Sequence, residues 1–200
     1  ALQDLGFPAL TSTPNANTLT ASAPDYVRTA LQQQYDWFER QHDGPLRQQF
    51  LQFAQNQHWL EDYCLFSALK EVHPQHWVEW PAPLRDREPA ALQAFAAQYR
   101  QQINFHRFAQ FIFMTQWHRL KQYANGKGIA LFGDMPIFVA HDSVDVWSNR
   151  ALFKLDAQGN TTVIAGVPPD YFSAQGQRWG NPLYYWEHHA ADGYLWWQQR

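Results

Sequence analysis

GIALFGDMPIFVA, residues 128–140, breaks the rhythm of the chain around it. A short apolar run bounded by glycine and polar residues marks a strand buried on both faces of a parallel sheet. It follows the longest helical pattern in the chain, in which Phe95, Tyr99 and Ile103 lie four apart, Phe105, Phe108 and Ile112 continue the face, and Asn125–Gly126 supply a stop. A long helix feeding a buried strand predicts an α/β architecture. Asp134, at the end of that run, then sits where barrel folds gather their active-site groups, at the mouth built by the loops. Gly-Asp-x-Pro is also a turn signal, so a capping or turn role stands beside the functional one.

Working upstream, residues 1–20 carry Pro8, Pro14, Asn15 and Asn17 among small polar residues and read as loop. Ser22 and Asp25 have the spacing of a capping box, with Pro24 in the first turn. Val27, Leu31, Tyr35 and Phe38 then set out a first helix that ends near His42–Gly44. Leu46, Phe50 and Phe53 after Pro45 give a second, and Trp59, Tyr63 and Phe66, with Leu65 and Leu69, a third. Proline-rich residues 73–89 read as a connector. Downstream of the apolar run, Leu152–Val163 has two β-prone flanks around Gly159–Asn160 and predicts a hairpin. The organisation expected is residues 1–88 as loop and mostly helical subdomain, and 89–200 as the long helix, a strand at about 128–140 and a following subdomain.

GVPPDYFSAQGQRWGNPLYYW, residues 166–186, packs six aromatic residues, three prolines and three glycines into 21 positions, too much punctuation for a helix or a strand. Sugars present a face of C–H groups and a rim of hydroxyls, so a glycan site needs rings for the face and carboxylates or carboxamides for the rim. Tyr171, Phe172, Trp179, Tyr184, Tyr185 and Trp186 offer the rings; Asp170, Gln177, Arg178 and Asn181 offer the polar partners. Pro168, Pro169 and Pro182 would hold them in place before a ligand arrives. The competing reading is an aromatic loop that only packs onto a core.

Composition narrows the partners. The 200 residues are 46% hydrophobic and 16% charged, as in a globular chain. Net charge is −3, with Lys and Arg scattered, so no footprint for nucleic acid or anionic lipid is present and a small neutral ligand fits better. The single cysteine, Cys64, has no disulfide partner; a buried, inert thiol and a cytoplasmic location are expected. With no apolar run near about 18 residues and no leader-like start, neither a membrane span nor a signal peptide is expected. His73 and His76 lie in the proline-rich connector, and adjacent His188 and His189 diverge on a helix, so no metal site is predicted. Asp142 and Asp145 fit the start of a short helix, in structural roles. Phosphate-binding glycine loops, G-x-S-x-G and Cys-His pairings are lacking.

GDMPIFVAHDSVDVW followed by GVPPDYFSAQGQRWGNPLYYW resembles the amylomaltases, the 4-alpha-glucanotransferases of glycoside hydrolase family 77, and WLEDYCLFSALKE resembles an upstream segment of the same proteins. The likeness runs over most of the chain, and the spacing between the motifs matches as well as the words. It implies a section of a (β/α)8 barrel of the alpha-amylase clan carrying inserted, mostly helical subdomains. It further implies that Asp134 lies near the donor glucose, that Gln177 and Trp179 line the sugar cleft, and that Asp170, Tyr171 and Phe172 form a cover over the acceptor side. The activity implied is retaining transfer of an alpha-1,4-glucan segment to a new 4-hydroxyl, with no cofactor. The family's nucleophile motif, R-x-D-H-F-R in type, and the motifs of its acid and third carboxylate do not occur in this sequence. The first-strand S-P-Y segment is also missing. The resemblance therefore implies an internal section holding binding groups without the catalytic pair, and leaves a non-catalytic or partly folded glucan-binding fragment as the alternative. A hydrolase of the alpha-amylase type would need D-x-x-x-N-H where this chain has GDMPIFVAHD.

Overall fold

The apolar spacings before residue 60 form helices where they predict them. The structure, a computed structural model, describes residues 6–9 and 23–200. Most of the 1–20 loop and the Ser22–Asp25 capping box lie outside the described residues. Helices α1 (Ala23–Glu39), α2 (Pro45–Asn56) and α3 (Leu60–Val72) follow in order. Pro45 opens α2 at no cost, because a first-turn N–H has no partner within the helix.

The chain divides into two compact units, Ala1–Leu65 with Tyr99–Leu131, and Phe66–Gln98 with Phe132–Arg200. In the first, α1 and α2 each pack on α6 (Arg100–Gly126). Tyr35 and Phe38 on α1, Phe50 on α2, and Phe105, Phe108, Phe111 and Ile112 on α6 close around Phe7 in one buried cluster. Helical spacing of three and four puts these rings on single faces, and each buried ring stabilises by about 2–3 kcal/mol. Phe108 is at the centre, its ring 5.1 Å from Phe38, 5.4 Å from Tyr35 and 5.8 Å from Phe7. Arg47 locks the α1–α2 turn: its guanidinium lies 4.1 Å over the Phe38 ring and donates to the Phe38 carbonyl. Cys64 is buried, as expected, and burial pushes its thiol up to about 12.

In the second unit, residues 73–89 are more structured than a connector, with a 3-10 turn at Trp77–Glu79 and helix α4 (Ala82–Arg85). Trp77 and Trp147 are fully buried. Their indole N–H groups do not go unpaired: Trp77 donates to the His141 carbonyl (2.7 Å), Trp147 to Leu84 (3.2 Å), and neighbouring Trp80 to His73 (3.0 Å). The Asp142 carboxylate joins this frame, accepting from Lys70 at 2.8 Å and from the Trp77 backbone N–H. Ser143 caps α7 (Val144–Ser148), and Asp145 lies in its first turn, matching the structural roles expected there. Burial raises the Asp145 carboxyl above its usual range.

Three expectations need correction. The long helix is two helices, α5 (Pro89–Gln98) and α6, because the Tyr99 backbone (φ −108°, ψ 30°) leaves the helical region; the four-residue spacing runs straight through the break, so periodicity does not reveal it. Residues 128–140 form no strand, and Ile129, Phe132 and Ile137 are exposed. A buried parallel strand takes its hydrogen bonds from neighbours, and among the described residues the only ladder joins two other segments. Those segments lie within and beside the supposed loop. β1 (Ile164–Val167) pairs antiparallel with β2 (Gln177–Pro182), Gly166 opposite Arg178 and Val167 opposite Gln177. The prolines and glycines that argued against a strand fall at its tip and at an irregular edge. The described residues thus make a helix-rich mixed α and β structure.

The expected hairpin at 152–163 is present in reduced form, as a Leu155–Thr161 bridge closed by Asp156 and Asn160. The helix expected from Trp186 is α8 (Trp186–Ala191), followed by α9 (Leu195–Gln199).

Candidate functional site

The β1–β2 hairpin carries most of the residues singled out for sugar binding. Alternate residues of a strand share a face, so Gln177 and Trp179 stand side by side on β2 while Arg178 faces the other way. Trp179 is half exposed, and its indole N–H donates to Gln177 Oε1 at 3.0 Å. An indole nitrogen can only donate, so this bond assigns the amide: its oxygen is engaged by the indole and its NH2 is the end that can donate elsewhere. The result is an aromatic face with a fixed donor beside it, the pairing that a sugar ring and its hydroxyl rim require.

The hairpin tip presents the second group. Asp170 Oδ1 accepts from the backbone N–H groups of Phe172 (2.9 Å) and Ser173 (2.8 Å), and Ser173 Oγ donates to the Gly176 carbonyl. Asp170 therefore builds the tip that carries Tyr171 and Phe172. Gly176 closes the turn at φ 70°, where an added Cβ would lie 2.5 Å from the Val167 carbonyl oxygen. Tyr171 and Phe172 are almost fully exposed, 98% and 89%, with their rings edge to face at 5.7 Å. Two unburied aromatic rings held on a braced tip are available to a ligand.

Asp134 lies in the exposed segment that leads to Phe138. Phe138 is what joins this segment to the hairpin, its ring 6.1 Å edge-on from Trp179 and stacked on Tyr184. Asn181 Nδ2 donates to the Val139 carbonyl (2.8 Å) and Tyr184 Oη to the Ile137 carbonyl (2.7 Å). Burial raises the Tyr184 hydroxyl above the usual phenol range, so it remains a proton donor. The structure thus brings together Gln177, Trp179 and Phe138, sets Tyr171 and Phe172 at the tip, and places Asp134 in the adjoining segment. Phe138 is not among the residues singled out, and Tyr184 and Asn181, offered as a ring and a polar partner for a ligand, bond the backbone with their polar atoms. Phe138 lies inside GDMPIFVAHDSVDVW, but neither its type nor its spacing marks it as a neighbour of Trp179. No group of three or more His, Cys, Asp or Glu able to hold a metal occurs among the described residues.

The family profile described as 4-alpha-glucanotransferase, glycoside hydrolase family 77, matches residues 20–200. The chain belongs to this family. Among the relatives it is similar to, a 4-alpha-glucanotransferase of Synechocystis sp. is 45% identical over 178 residues, covering 88% of this chain and 35% of the relative. One of Thermus thermophilus is 46% identical over 173 residues, covering 86% of this chain and 35% of the relative. In three dimensions it is similar to an amylomaltase from Streptococcus agalactiae in complex with acarbose, with a TM-score of 0.82, 35% identity and coverage of 98% of this chain and 39% of that one. The chain thus spans about a third of the length of its curated relatives.

Proposed function

We propose that this chain supplies part of the glucan cleft of a 4-alpha-glucanotransferase, an internal section of a (β/α)8-barrel enzyme whose catalytic pair lies elsewhere. The observation that carries the reading is the Trp179–Gln177 pair, an exposed ring with an amide donor locked beside it. In this reading Trp179 stacks on a glucose face, Gln177 donates to its hydroxyls and Asp134 accepts from the donor sugar. Tyr171 and Phe172 cover the acceptor side, where their rings favour an incoming sugar over water. The reaction is a double displacement. A carboxylate attacks the anomeric carbon and the glycosidic C–O bond breaks as a second carboxyl group protonates the leaving oxygen; then the 4-hydroxyl of another glucan displaces the enzyme carboxylate and returns its proton. In the complete barrel, neighbouring strands would pair with residues 128–140, which are unpaired here.

Incubation with maltotriose tests this, with free glucose and longer maltooligosaccharides as readout. The full-length protein is expected to form a ladder and the 200-residue chain none, and Trp179→Ala in the full-length protein should lower kcat/KM by about 10- to 100-fold, the loss expected of one stacking aromatic. Unchanged kinetics in Trp179→Ala would remove the cleft assignment, and turnover by the short chain would put the nucleophile within it.

A further inference from the structure

The candidate cleft is assembled from two stretches far apart in sequence, the Asp134 segment and the hairpin bearing Gln177 and Trp179. No ladder joins them. Instead, three carbonyls of the segment accept side-chain donors from residues beyond β1: Val139 from Asn181 at 2.8 Å, Ile137 from Tyr184 at 2.7 Å, and Pro136 from Arg200 at a long 3.4 Å. The two short bonds fall on alternate residues, as ladder acceptors on one edge of a strand would. Phe138, between them, stacks on Tyr184 with an interplanar angle of 6° and meets Trp179 edge-on. Tyr184 is itself fixed: it is 2% exposed, bridges to Phe153, and packs its ring against Trp196 and Trp197.

We infer that Asn181 and Tyr184 are positioning residues that pin the Ile137–Val139 backbone to the hairpin and thereby set Asp134 at its working distance from the Gln177–Trp179 pair. Between the segment and the hairpin they take the place of a sheet ladder, so the alignment of these two stretches depends on two side-chain donors. The inference rests on the cleft reading above, in which Asp134 and Gln177 touch the same glucan.

The test is a set of double-mutant cycles in the full-length protein, read as acarbose affinity by calorimetry. Tyr184→Phe removes one hydroxyl and should weaken binding about five- to tenfold. The penalty of Asp134→Asn, full in the parent protein, should shrink to less than about twofold in the Tyr184→Phe background, while the penalty of Gln177→Ala, which lies on the strand itself, persists there. A general loss of stability would leave both penalties unchanged. Full multiplication of the Tyr184→Phe and Asp134→Asn penalties overturns the positioning role while the cleft reading stands. Asp134→Asn and Gln177→Ala each without effect on acarbose binding in the parent protein overturns both. Should Tyr184→Phe fail to fold, the same cycle with Asn181→Asp, which keeps the side-chain shape and loses the donor, decides.

Discussion

Gly159 shows how one residue can hold a turn and a core together. It sits at φ 94°, in the left-handed region, and an added Cβ would run into the buried Trp77 indole. Its carbonyl is also in use, 2.8 Å from His141 Nε2. Both backbone strain and overpacking therefore oppose any side chain here, and Gly159→Ala should cost about 2–4 kcal/mol in urea unfolding; a change below about 0.5 kcal/mol would contradict the packing described. Gly-Asn at this point signalled a turn in the sequence, but nothing there signalled that an indole lies under it. Gln177 and Trp179 are offered by residue type in GQRWGNP, a carboxamide and a ring, but the strand that sets them side by side is not legible in a stretch that reads as loop.

At the scale of elements, α8 and α9 enclose His189 among Tyr184, Trp186, Trp196 and Trp197. The imidazole is fully buried with neither nitrogen in a well-formed hydrogen bond. Burial holds it below the usual imidazole range, against the upward pull of the Leu152 carbonyl and Asp192, with His188 adding to the depression. A group that is harder to protonate when folded keeps its stabilising contribution above the unfolded value of about 6.5 and loses it as pH falls through the lower folded one. Melting temperature should therefore drop as pH falls below about 6.5, and His189→Phe, which keeps a ring and removes two unpaired polar atoms, should flatten that slope without loss at pH 7.5. An unaltered slope would show that His189 does not titrate on unfolding. The helix periods that marked most elements failed at Tyr99 and at the hairpin for one reason: both depend on local dihedrals or on a partner strand, neither of which an apolar pattern encodes.

For the whole molecule, the decisive feature is the unpaired segment. Ile129, Leu131, Phe132, Met135 and Ile137 are all exposed, and Phe113, Trp117 and Leu120 expose a stripe on α6 at helical spacing. Soluble chains rarely leave this much apolar surface open unless something covers it. The chain is expected to bind the dye ANS strongly and to self-associate at micromolar concentration; weak dye binding by a monomer would show that this surface is covered in some other way.

By itself the sequence determined the helix faces, the family and the residue types a glucan needs, since all three follow from local spacing and from motifs that stay intact in any context. It also marked residues 128–140 as a segment suited to burial between strands. Only the tertiary structure decided that Asp170 is committed to the hairpin tip, that an indole occupies the Gln177 amide oxygen, and that Asn181 and Tyr184 reach back to Val139 and Ile137. Those outcomes depend on which atoms meet across dozens of residues, and a hydrogen bond is satisfied by geometry that no single stretch of chain contains.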